Sequence, residues 1–517
     1  MSTAKQEIDG RQLWASRFKK ATNAIGKQYS ESITVDRPMF NHDIWGNQAH
    51  VIMLGYTGIN TDEQTKNILI GLQEVRQQFE AGKWDLQFQE EDVQMNVERF
   101  VINHVGMENG GRMHTTRSRN DQVVLDTKLF ARSKLREVQT ALGRLIETLL
   151  SRAGNHTRTI MPGYTHTQHA QPMTYAYWLT NYAAVFLRDL RRLAAADRTL
   201  NTNPLGAGAL TGTSFPIDRD LTTELMGFDS VQEHCLDAVG NKDFNLEILA
   251  ALAIMFSSLS RIAEEVIYGI THEFRTMVLD DSFAMGSSMM PQKKNPGVLE
   301  LVRGRTGKMY GILLGMLTTM KGLPSGYNRD YHEDKTTLAD ALTLSKDSIE
   351  VMQGVIETLQ INPQRMRSLV EENFATATEL ANYLVRKHNI PFRQCHRIVG
   401  HVVGELVARG KSFKDGQTTR ELLQSQGIAI SDEDFENTLN PDKVVENYSS
   451  RGGTSSTEVN RMIRSMQKEL DSVQGELDAR IAVEREANEK TQAIAHEVLK
   501  GMPVQDAVKR ILQTAWV

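Results

Sequence analysis

Cysteine is nearly absent. Cys235 and Cys395 are the only two in 517 residues, too few for a disulfide framework or a cysteine-rich zinc site, and consistent with a reducing compartment. Glu233-His234-Cys235 has no second Cys or His cluster near it in sequence and reads as ordinary packing, so no metal is expected. A basic excess is also missing. Lys and Arg number 59 against 64 Asp and Glu, which argues against a nucleic-acid partner, whose phosphates demand a positive footprint. The longest apolar run, Ile248 to Phe256, falls short of the ~20 residues that span a bilayer. The N-terminal MSTAKQEIDGRQ lacks the apolar segment of a secretory signal. The expectation is a cytoplasmic protein with no membrane partner.

Proline is sparse, with 12 residues, and glycine gathers in short clusters. Between them, apolar residues recur every three to four positions over roughly 121–153, 171–200, 244–271, 297–322 and 334–360, the period of helices with one buried face. The third segment is apolar nearly all round at its start, which predicts burial on several sides. Helices this long, several to a chain, suggest an elongated bundle. No βαβ alternation, phosphate-binding glycine loop or internal repeat is present. A strand-like piece is expected near Gly206–Leu210. The tracts 108–114 and 450–456 read as loops. From about 458 the chain turns helical and highly charged, the pattern of an exposed or oligomer-facing helix.

Three tracts carry chemistry. MHTTRSRNDQV (113–123) sets Thr115, Thr116, Arg117, Ser118, Arg119 and Asn120 just before a long helix. Arginine offers a planar fork to carboxylates, and a helix start adds backbone donors; the plainer reading is a solvated, capped helix end. MPGYTHTQHAQP (161–172) holds Thr165, His166, Thr167, Gln168 and His169 in a polar loop bracketed by prolines, a setting suited to proton transfer. MGSSMMPQKKNPG (285–297) gathers Ser287, Ser288, Lys293, Lys294 and Asn295 ahead of a helix starting near Gly297. A flexible basic loop is the plain alternative there.

The third tract is close to G-S-S-x-M-P-x-K-x-N-P, the signature of the fumarase/aspartase superfamily, and all three together resemble that superfamily. The finer resemblance is to argininosuccinate lyases and the related delta-crystallins. It runs in order through LWASRF (13–18), HTTRSRNDQV, PGYTHTQHAQP, NPLGAGALTG (203–212), KGLPSGYNRDYHEDK (321–335) and ATELANYLVRK (377–387), over about residues 11–460. It implies an all-α, three-domain fold with five long central helices. The divisions fall at 1–117, 118–370 and 371–462, with a helical extension over 463–517. It also implies a homotetramer whose active sites each draw on three subunits, and no cofactor.

The implied reaction is β-elimination of fumarate from an N-substituted aspartate. Removing a proton next to a carboxylate places a second negative charge on that group, so preset donors are needed, each typically worth ~3–4 kcal/mol. The resemblance assigns Ser287 as the base and Lys293 and Asn295 as groups facing the developing charge. It assigns His166 as the active-site imidazole, with Glu300 as its carboxylate partner. Thr165, Ser118, Arg119 and Asn120 match positions that hold the substrate's carboxylates. Ser32, Tyr327 and Lys335 match positions at the amino-acid end, and His332 joins them. The chain departs from the family at Gln94, where a His is usual, and at Arg329 and His332, where Lys and Gln are usual. Thr116 stands for a Gly, and Gly240-Asn241-Lys242-Asp243 replaces an S-x-R-D tract. These changes fall mostly where the leaving group is expected to sit. Three readings follow: cleavage of argininosuccinate to arginine and fumarate; the same elimination on another N-succinyl amine, such as ethylenediamine-disuccinate; or an inactive, crystallin-like structural relative.

Overall fold

The computed structural model describes residues 23–513. The opening motif at 13–18 lies outside the described residues. Near the N-terminus three helices form one cluster: α1 (Phe40–Tyr56), α2 (Asp62–Glu80) and α3 (Val93–Val105). Helix α2 starts at a reciprocal capping box between Thr61 and Gln64, which satisfies two of the first-turn N–H groups. Asp92 caps α3 by accepting from the Met95 N–H.

The central bundle follows. Helix α4 (Arg119–Gly154) leads into a hairpin of β1 (Ile160–Thr165) and β2 (Gln168–Thr174), then α5 (Tyr175–Leu200) and the short α6 (Arg219–Met226). Helices α7 (Asp243–Ile270), α8 (Gly297–Met320) and α9 (His332–Thr358) complete it. All five periodic segments are therefore helices, four with ends within two residues of the expected ones. The second starts later, at Tyr175, because residues 171–174 finish β2. By length and composition α7 could cross a membrane. It instead packs against α5, α8 and α9, with Ile248, Leu252, Phe256 and Leu259 fully buried. A separate small core unites α10 (Ala377–His388), α11 (Phe392–Ala408) and α12 (Gly416–Ser425).

Three expectations need correction. Gly206–Leu210 is turn, not strand: Gly206 and Gly208 take φ of +90° and +61°, a backbone path that glycine follows at little cost. The extended pairing lies just before it, Thr202–Asn203 beside Ser230–Val231. Residues 161–172 form a hairpin rather than a loop. The tract 108–114 is not loop but helical turns, Met107–Gly110 and Gly111–His114.

The chain ends in α13 (Ser456–Leu499) and α14 (Val504–Gln513). Helix α13 does not stand free. Val459 and Leu470 join the bundle core, while Ala487, Ile494, Ala495 and Val498, with Val504, Ala507 and Val508 of α14, fill the N-terminal cluster. Its outward charges, such as Arg485, stay in water, so the charge pattern marks one face only. The other face carries Glu484, whose carboxylate lies 2.6 Å from Arg136 and 3.5 Å from Arg132 of α4. Arg132 is fully buried, donating to Asn201 and to the carbonyls of Met226 and Gly227 and stacking on Phe228. Removing one partner from a buried pair leaves an uncompensated charge. Glu484→Gln is therefore expected to cost roughly 3 kcal/mol, read as a lowered urea midpoint for loss of helical signal.

Candidate active site

Around the start of α4 the chain encloses a cleft of ≈ 420 Å³ lined by Glu91, Asp92, Met95, Glu98, His114, Arg119, Asn120, Val123, Tyr327, Arg329, His332 and Lys335. Five expected site residues thus share one wall system, although more than 200 positions separate Arg119 and Asn120 from Tyr327, His332 and Lys335. Ser118 is the N-cap of α4, its hydroxyl accepting from the Asn120 N–H while Asp121 accepts from the Ser118 N–H. The other oxygen of Asp121 accepts from the N–H groups of Gly206 and Gly208 at 3.1 and 2.9 Å. That carboxylate pins the 203–212 tract beside the helix start. Asn120 adds a bond to the Ala209 carbonyl. Burial pushes the Asp121 carboxyl up to about 6, against the pull of its backbone donors.

Every cation in the cleft has a carboxylate partner. Arg119 lies 3.3 Å from Asp92 and 3.7 Å from Glu98. Lys335 is buried and bound to Asp36 at 2.6 Å, and Arg329 pairs with buried Glu91. Ser32 stands behind this wall. Its hydroxyl donates to Asp36 at 2.5 Å and its N–H to the Glu91 carbonyl. The imidazoles are neutral. Burial, with Lys335 and Arg329 beside it, lowers His332 to about 4, and burial with Arg117 and Arg119 lowers His114 to about 3. Burial, with Asp334 and Asp36 nearby, pushes the Tyr327 phenol above its ordinary range, so it remains an O–H donor.

Two departures from the family pattern do not reach the cleft. Gln94 is buried in the first turn of α3, donating to Asp126 of α4 at 2.6 Å. Lys242 is fully buried against Asp334 at 2.7 Å. Arg329 and His332 alone alter the lining. Glu91, Glu98 and His114 line the cleft but escaped the sequence reading, since nothing in the spacing of QEEDVQMNVE distinguishes a site carboxylate from a solvated one.

His166 sits at the exposed tip of the β1–β2 hairpin. Thr165 pairs with Gln168, leaving His166 and Thr167 as the two turn residues, with φ of +53° and +58°. Positive φ at both positions is the two-residue hairpin turn normally given to Asn and Gly. A β-branched residue there is strained, and strain of this kind concentrates at functional sites.

The signature loop is closed at its base by paired backbone bonds between Met285 and Asn295. Inside it the Ser287 hydroxyl oxygen accepts from the N–H groups of Met289 and Met290 at 3.3 and 3.0 Å. Two donors aimed at one oxygen favour negative charge on it. Lys294 anchors the loop to the Leu279 carbonyl and Asp281. Lys293 is exposed; its backbone N–H donates to the Met290 carbonyl at 3.1 Å, and its ammonium makes no hydrogen bond or ion pair with the described residues. Asn295 reaches back to the Gly286 carbonyl at 3.5 Å, and Glu300 is exposed in the first turn of α8.

The lining of the cleft includes no residue of the hairpin tip or of the signature loop. No hydrogen bond or ion pair among the described residues joins His166 to Glu300, or either to the cleft. Nor do those residues hold a cluster of His, Cys, Asp and Glu able to bind a metal.

Residues 16–311 match a family model described as lyase, and 374–446 one described as argininosuccinate lyase C-terminal. The argininosuccinate lyase of Oceanobacillus iheyensis is 42% identical over 460 residues, 89% of this chain and 99% of its own. The chain belongs to the argininosuccinate lyase family. That of Streptococcus thermophilus is 41% identical over 90% of this chain and 99% of its own. Among solved structures, an EDDS lyase bound to formate is 29% identical, with a TM-score of 0.81 over 95% of both chains. A 3-carboxy-cis,cis-muconate lactonizing enzyme from Pseudomonas putida is 17% identical at a TM-score of 0.68, covering 86% of this chain and all of its own, and shares the fold. The protein is a carbon–nitrogen lyase of this family, with its helical-bundle fold.

The family's glycine before the first motif arginine finds its physical reason here. Thr116, which replaces it, has φ of +70° and a buried hydroxyl without a hydrogen-bond partner. Thr116→Gly is expected to relieve about 1–2 kcal/mol of backbone strain, measurable as a raised melting temperature.

Proposed function

We propose that this lyase cleaves argininosuccinate to arginine and fumarate, in the cytoplasm and without a cofactor. The observation that carries this reading is the identity to argininosuccinate lyases, 38–42% over most of the chain. Ser287, as the alkoxide that its two backbone N–H donors favour, takes the Cβ proton and becomes the neutral hydroxyl. Lys293 and Asn295 stabilise the dianionic carboxylate that results, and collapse of that intermediate expels the guanidine. Thr165, Ser118, Arg119 and Asn120 hold the carboxylates of the succinyl part, and Ser32, Tyr327, His332 and Lys335 bound the amino-acid end. His166, paired with Glu300, serves the leaving group.

These groups meet only between chains, so the working unit is a homotetramer whose site draws on three subunits. Helix α8 supports this. Leu301, Tyr310, Leu314 and Leu317 are exposed on it, and Gly304, Gly307, Gly311 and Gly315 face open space. An apolar face stripped of side chains allows the helices of neighbouring subunits to approach closely.

A second reading, elimination from an ethylenediamine-disuccinate-like amine, is favoured by one observation. The likeness to EDDS lyase covers 95% of this chain, which takes in much of the segment after residue 462, whereas the curated argininosuccinate lyases match over 403 to 463 residues. Absorbance of fumarate separates the readings: release from argininosuccinate but not from the disuccinate supports the first, and the reverse supports the second. Ser287→Ala is expected to lower that rate by at least about a thousandfold while leaving substrate binding intact. A separate check addresses the shared site. Ser287→Ala and His166→Asn chains, each inactive alone, should regain part of the activity when unfolded together and reassembled.

A further inference from the structure

Arg119 projects from the first turn of α4 into the cleft, and the direction of its guanidinium fork decides where it can meet a carboxylate. Three side chains surround the fork. Asp92 and Glu98 lie at 3.3 and 3.7 Å, but the closest contact is the bond from Nη1 to Gln122 Oε1, at 2.7 Å. Gln122 is buried one turn below on the same helix. An amide carries a donor and an acceptor at the same end, and which one faces Arg119 depends on its other neighbour. That neighbour is Asp43 of α1, whose Oδ1 accepts from Gln122 Nε2 at 2.7 Å. A carboxylate only accepts, so the nitrogen must face Asp43 and the oxygen must face Arg119.

Asp43 is itself fixed. Its second oxygen accepts from Asn47 Nδ2 at 2.8 Å, and the same Nδ2 donates to the Asp43 carbonyl at 2.9 Å. Asp43, Asn47 and Gln122 are each about 1% exposed, too deep to touch substrate.

We propose that Asp43 is a positioning residue for Arg119, acting through Gln122. The proposal rests on the reading that Arg119 holds a substrate carboxylate. Asp43 orients the Gln122 amide, and the amide aims the guanidinium fork from behind. Burial raises the Asp43 carboxyl while Arg117, Gln122 and Arg119 draw it down, and each of its oxygens receives an amide N–H.

Asp43→Asn tests this, because an Asn side chain cannot accept from Gln122 and Asn47 at once. Gln122→Met removes the relay at similar volume and carries the test if the first variant does not fold. Each is expected to raise KM for the lyase substrate by about tenfold, the worth of a hydrogen bond to a charged group, with kcat within about threefold of wild type. Both are then combined with Arg119→Ala. If Asp43 works through Arg119, neither substitution changes KM further in that background. An unchanged KM in the single variants, or the same increase with and without Arg119, overturns the proposal and leaves a purely structural network. If Arg119→Ala alone leaves kcat/KM unchanged, the reading of Arg119 as a substrate ligand falls, an outcome distinct from the additive one.

Discussion

One buried carboxylate, Asp121, holds the front of the molecule in place. It caps α4 on one side and receives two glycine N–H groups from the 203–212 tract on the other. An acidic group at a helix N-terminus is favoured by the helix dipole, and here it is fully removed from water. Its desolvation is offset by three backbone donors. Without that tie Asn120 would lose its anchor on Ala209, and the wall that carries Arg119 would have no fixed distance from the turn beside it.

The same principle recurs deeper in the chain. Charges are buried in matched sets: Lys335 with Asp36, Lys242 with Asp334, and Arg132 and Arg136 with Glu484 and Asp197. A buried ion needs an opposite charge or a set of hydrogen bonds to offset its lost hydration, and matched pairs demand a fixed geometry, which gives the cleft rigid walls. Burial likewise lowers the two imidazoles in those walls below the ordinary histidine range.

Much of this was legible in the sequence. The five long helices followed from apolar spacing alone, because a 3.6-residue period over 25 or more positions has few competitors. The three chemical tracts stood out as polar residues crowded against glycine and proline. What stayed hidden is what depends on distance in space. The hairpin around His166 was masked by prolines, which sit opposite each other at Pro162 and Pro172 and read as loop signals. Gln94 and Lys242 looked like lining residues because they neighbour motif positions, yet both turn inward, onto Asp126 and Asp334. Glu98 and Asp43 occupy ordinary helical positions, and only the fold brings them beside Arg119 and Gln122.

The seating of the last helices has a consequence for how the chain is made. The cluster that begins at Phe40 takes Ala487, Ile494, Val498 and Val508 into its core. Synthesis runs from the N-terminus, so α1 and α2 emerge with an apolar gap that only the final stretch can fill. Contacts between residues more than 400 positions apart are slow to form, and exposed apolar surface invites aggregation in the meantime. Helices that leave the ribosome early are thus among the last to be finished.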